Sequence, residues 1–102
     1  MFKLNPNPEF KCALTIEGQG FEQVLELVYI HMDADEYLAM LDAVRKNKMT
    51  PADAVLKLVK SWNADGDLTK EVIVKASKSM PGFDWAIIGG YSDAIAVQRK
   101  GN

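Results

Sequence analysis

Residues 10–32 read FKCALTIEGQGFEQVLELVYIHM, and this stretch decides the fold. Phe10, Cys12, Leu14 and Ile16 alternate with Lys11, Ala13, Thr15 and Glu17, the period of a strand with one buried face. Gly18-Gln19-Gly20 tolerates the positive φ of a short hairpin connection. Phe21 to Met32 then reads as the returning strand. One of its faces carries Phe21, Leu25, Leu27 and Tyr29, and the other carries Val24, Val28, Ile30 and Met32. Covering both faces of so small a sheet is difficult. The strand is therefore central in a sheet shared with another copy, or its second face is a docking surface, or helices wrap both faces.

Before the hairpin, Asn5-Pro6-Asn7-Pro8 excludes a regular helix and predicts an extended arm over 1–9. After it, residues 33–98 read as helical. Asp33, Asp35 and Glu36 suit a helix start, and Tyr37, Leu38, Met40, Leu41 and Val44 form one apolar face. Thr50-Pro51-Ala52-Asp53 opens a second helix, with Val55, Leu56, Leu58, Val59 and Trp62 repeating the same offsets. Asn63 to Asp67 is a polar turn. Thr69 caps a third helix to about Met80, against which the β-branched Val72-Ile73-Val74 leaves a short strand open. Beyond Pro81-Gly82, Phe83 to Val97 reads as a helix with Phe83, Ile87, Tyr91, Ala94 and Ile95 on one face. Trp85, Gly89, Ser92 and Ala96 lie on the other. Gly89 and Gly90 cost a helix about 1 kcal/mol each relative to Ala, which implies a kink or a close approach. The fold class is α+β: an N-terminal β-hairpin in a small antiparallel sheet, followed by three to four helices in one domain.

The chain has 102 residues, 48% hydrophobic and 25% charged, and 12 basic against 14 acidic side chains leave a net charge of −2. That balance lacks the basic field needed to hold a phosphate backbone, so no nucleic-acid partner is expected. A single Cys fits a reducing compartment. No run resembles a signal-peptide core or approaches the ~20 apolar residues of a membrane span, so no membrane partner is expected either.

Chemistry is thin along the chain. His31-Met32-Asp33-Ala34-Asp35-Glu36 groups one His with three acids, but transition-metal sites draw several His or Cys ligands from different elements. Asn63 to Asp67 lacks the turn Gly and the bidentate acid of a calcium loop, with Leu68 and Val74 at those positions. Cys12 falls on the apolar face of its strand, and no serine sits in a nucleophile–base motif. No catalytic residue, metal or cofactor is expected.

The opening Phe2-Lys3-Leu4-Asn5-Pro6-Asn7-Pro8-Glu9-Phe10-Lys11 resembles the start of tail assembly chaperones from phages with long non-contractile tails. The order of later features is similar: a hairpin, a helix pair ending in Ser61-Trp62-Asn63, a short helix before Met80-Pro81-Gly82, a last helix containing Tyr91, and the ending Arg99-Lys100-Gly101-Asn102. Val72-Ile73-Val74 and Gly89-Gly90 depart from the family pattern. The resemblance implies a chaperone that binds the tape measure protein in the host cytoplasm and is absent from the finished virion. It also implies a frameshift-extended form that recruits the major tail tube protein, and Arg99-Lys100-Gly101 can be encoded across a slippery A-AAG-GGA heptamer.

Holding a helical client needs exposed apolar surface on a soluble body. The candidate client or self-association surface is Val24, Val28, Ile30 and Met32, with Trp85, Gly89 and Ala96 on the last helix. A homo-oligomer is expected, because coating a long client calls for many copies. The competing reading is a small oligomerising structural or adaptor subunit that stays in the tail or a tail-like particle.

Overall fold

The computed structural model describes residues 1–101; the Asn102 that closes the Arg-Lys-Gly-Asn ending lies outside them. Strand β1 (Glu9–Gly18) pairs antiparallel with β2 (Phe21–Ile30), from Gly18 opposite Phe21 to Glu9 opposite Ile30. The connection is the two-residue Gln19-Gly20, with φ of 54° and 81°. Two successive left-handed residues match the twist of the flanking strands, and Gly20 takes its conformation without a Cβ penalty. The register sets Phe10 opposite Tyr29, Cys12 opposite Leu27 and Leu14 opposite Leu25, all on one face.

Among the described residues there are four helices: α1 (Ala34–Arg45), α2 (Pro51–Leu58), α3 (Lys70–Ser79) and α4 (Phe83–Ile95); α2 and α4 pack on that inner face, α1 against α2, and α3 against α2 and α4. Their starts follow capping chemistry. Asp33 accepts from the Glu36 backbone at 2.9 Å, Thr50 and Asp53 form a reciprocal capping box after which Pro51 opens the helix, and Thr69 accepts from Val72 at 3.2 Å. Val72-Ile73-Val74 is thus helical, and the fully buried Ile73 packs in the core.

The second helix is shorter than its apolar spacing predicts. It ends at Leu58, and Val59–Trp62 forms a third strand, β3, antiparallel to β2. Val59 lies opposite Tyr29 and Trp62 opposite Leu27, with a bulge between them. A bulge lets two residues three apart point to the same side, which a regular strand forbids and a helix permits. That is why Val59 and Trp62 carry a helical signature in the sequence. Asn63 extends the ladder, donating to the Glu26 carbonyl at 3.0 Å and accepting from the Glu26 N–H at 2.9 Å. The sheet order is β1-β2-β3, so β2 is central within its own chain, without a strand from another copy.

The core gathers Leu25, Leu27, Tyr29, Tyr37, Leu58, Ile73, Ile87 and Tyr91. Three tyrosine hydroxyls find backbone partners there: Tyr29 donates to the Ile87 carbonyl (2.7 Å), Tyr37 to that of Ile88 (2.9 Å), and Tyr91 to that of Met32 (2.6 Å). Tyr91 also accepts from the Met32 N–H at 2.6 Å, locking the chain between β2 and α1 onto α4. Two predicted faces shift. Leu38 in α1 is exposed, and in α4 Ala94 is exposed while Ile88 is buried against the Tyr37 side of the core. Packing of α4 between the sheet and α2 widens its buried stripe beyond a single row.

Candidate functional site

The sheet has two unlike faces. Helices fill the inner one, while the outer one carries Lys11, Ala13 and Thr15 of β1, Val24, Glu26, Val28 and Ile30 of β2, and Ser61 of β3. Nothing among the described residues covers it: Val24 is 55% exposed and Ile30 38%, with Val28 half-buried between Lys11 and Ser61. The small side chains Ala13 and Ser61 leave a shallow depression of about 450 Å³ over Val28, rimmed by Lys11 and Glu26. An ion pair between Lys60 and Glu9 (2.9 Å) ties β3 to the start of β1. Apolar side chains inside a charged rim are the anatomy of a protein-docking patch.

Met32 stands apart from these three residues. The strand ends at Ile30, and Met32 is half-buried against the core with its backbone held by Tyr91. The structure thus joins Val24, Val28 and Ile30 on one surface and separates Met32 from them.

Trp85 and Gly89 are exposed on α4, opposite its buried Phe83, Ile87 and Tyr91, with Trp85 47% exposed; the helix ends at Ile95 and not at Val97, so the exposed Ala96 is its extended cap and lies off that face. Because α4 lies on the inner side of the sheet, the sheet itself divides this surface from the outer-face patch. Gly90, not Gly89, makes the close approach: a Cβ there would lie 2.7 Å from Leu14 Cδ2 and 2.9 Å from the Tyr29 hydroxyl.

A further feature escaped sequence reasoning. A cleft of about 500 Å³ opens where the turn end of the hairpin overhangs the helices. Ile16 and Leu25 form one wall, Ala76, Met80 and Phe83 another, and the Trp62–Gly66 loop a third. Trp62 Nε1 donates to the Gly66 carbonyl at 2.8 Å and its ring packs 6.0 Å from that of Phe83, which fixes the loop. Neither period 2 nor period 3.6 reports such a cleft, since its walls come from four separate segments.

Titratable groups add little chemistry. Burial raises the pKa of the Cys12 thiol, which moves it away from a reactive thiolate. Burial likewise raises those of the Tyr29 and Tyr37 hydroxyls. Among the described residues, no three His, Cys, Asp or Glu side chains gather where they could hold a metal ion. No described helix is long and apolar enough to cross a membrane.

A family model described as phage tail assembly chaperone matches residues 1–102 of the chain. No curated protein and no solved structure matches it.

Proposed function

The chain belongs to the phage tail assembly chaperone family, and from that premise we propose that it binds the tape measure protein and keeps it soluble while the tail is built. Chaperone membership implies a non-enzymatic role and a tail-protein partner. The observation that carries the finer reading is the uncovered outer face of the sheet. Val24, Val28 and Ile30 stay exposed although the same chain fills the opposite face with its own helices.

An amphipathic helix laid across β2 would bury this stripe, and basic side chains beside its apolar row would meet Glu26 at the rim. The chaperone acts in the host cytoplasm as a homo-oligomer along the client and leaves before the virion is complete. The major tail tube protein joins through a frameshift-extended form. The exposed Trp85 side of α4 offers a second contact, since Trp is favoured at interface hot spots.

Val28→Asp tests the reading. It places a charge at the centre of the patch without entering the core. The expected result is loss of co-purification with the tape measure protein, with unchanged circular dichroism and unchanged self-association. Undiminished co-purification would refute the surface. Recovery of the protein in purified particles would favour a structural subunit instead.

A further inference from the structure

The residues before β1 are fully exposed, with Phe2 86% and Leu4 89% accessible. Such apolar side chains on an extended arm ask for a partner. Pro6 and Pro8 keep the arm low in conformational entropy, although it bends at Asn5 and Pro8, and the Pro8 carbonyl anchors its base by accepting from the His31 N–H at 2.8 Å. Phe2 and Leu4 are two positions apart, so in an extended chain they point to the same side while Lys3 points to the other.

The cleft beside the hairpin turn has the complementary character. Ile16, Leu25, Met80 and Phe83 line it, and Asp65 stands at its edge. Its wall is already formed, because Gly66 sits so close to α3 that a Cβ there would lie 2.9 Å from Val72 Cγ1.

The arm cannot fill its own cleft. It leaves the sheet at Glu9, at the opposite end of β1 from the turn. At ~3.4 Å per residue, Ile16 lies ~27 Å along β1 from Pro8, whereas Leu4 can reach only ~14 Å and Phe2 ~20 Å, even doubled straight back. We propose that the arm of one copy docks in the cleft of a second copy, with Phe2 and Leu4 in the apolar walls and Lys3 facing Asp65. Arm and cleft are different surfaces at different ends of the hairpin, so the contact is head-to-tail and leaves a free arm and a free cleft at the ends of each chain of copies. This deepens the self-association part of the proposed function, and it needs no client.

Light scattering on two variants and their mixture tests it. Wild-type protein is expected to rise with concentration past twice its 11.3 kDa chain mass. The arm variant Phe2→Asp/Leu4→Asp and the cleft variant Ala76→Glu should each stay at chain mass. Mixed, they should form a one-to-one pair and nothing larger, because each retains one working half. Circular dichroism checks that each variant is folded, and the exposed Gln23→Arg replaces the cleft variant if Ala76→Glu unfolds. A wild type that stays at chain mass, an arm variant with wild-type mass, or folded variants that do not pair would each overturn the proposal. An arm variant that keeps wild-type mass but loses client would assign the arm to the client instead. None of these outcomes touches the Val28→Asp result, which reads client capture alone.

Discussion

Gly89 and Gly90 are chemically identical neighbours in α4, and the structure gives them opposite fates on substitution by Ala. Each replacement removes the backbone freedom of Gly in a helix, a gain of about 1 kcal/mol. At Gly89 nothing lies within 4 Å of the new Cβ, so the whole gain should appear as stability. That corresponds to a melting temperature raised by roughly 4–8 °C for a domain of this size. At Gly90 the new Cβ meets Leu14 and the Tyr29 hydroxyl. Leu14 is half-buried and has room to swing aside. Tyr29 has none: it is fully buried, its ring lies 5.6 Å from Phe10 and 5.3 Å from Tyr91, and its hydroxyl is held by Ile87. Overpacking of this kind costs about 1–3 kcal/mol, and distorting the hydrogen bond adds up to about 1 kcal/mol. Because the helix gain is common to both variants, it cancels in their difference, and Gly90→Ala should be less stable than Gly89→Ala by about 1–4 kcal/mol. Urea denaturation followed by circular dichroism reads this directly. In a Tyr29→Phe background the gap should narrow by about 1 kcal/mol, since the hydroxyl is gone. Two variants within about 0.5 kcal/mol of each other, or Gly90→Ala the more stable, would refute the packing of α4 on the sheet.

Stability should fall as pH rises above the ordinary tyrosine value of 10.0, because burial raises the pKa of Tyr29 and Tyr37 in the folded protein alone. The unfolded chain then binds fewer protons than the folded one, so alkali favours unfolding. Absorbance titration should show these two phenolates at higher pH in the folded protein than in the unfolded chain, and their appearance near 10 in a folded protein would contradict it. Thr50→Ala should cost about 1 kcal/mol in the same urea assay by removing the cap that accepts from the Asp53 N–H at 3.2 Å. An unchanged midpoint would show that the box adds nothing to α2.

Much of the architecture was legible along the chain. Period 2 in β1, Gly20 in the turn, and Asp33, Thr50 and Thr69 at helix starts are local signals that neighbours within a few residues produce. A second apolar row on β2 was legible too, as Val24, Val28, Ile30 and Met32, but not that it would stay uncovered, nor that Met32 would leave it for the core. The failures share one cause. Val59 and Trp62 resemble the end of a helix until the free edge of β2, at Tyr29 and Leu27 far earlier in the chain, draws them into a bulged strand. Leu38 fits the apolar face of α1, yet no element stands over it. Ile88 lies off the predicted stripe of α4 and is buried on the side where the Tyr37 hydroxyl, 51 positions earlier, donates to its carbonyl.

By itself, the order of residues determined an α+β chain with a hairpin first, helices after it, and one strand with apolar side chains on both faces. Those properties follow from side-chain period and backbone preference, which act locally. Only the tertiary structure decided which face the helices would cover, that β2 is central within one chain, and that Gly90 and not Gly89 touches the sheet. It alone formed the cleft, and it alone set the exposed arm too far away to reach it. Such outcomes depend on distances between segments remote in sequence, and no periodicity along the chain encodes a distance across it.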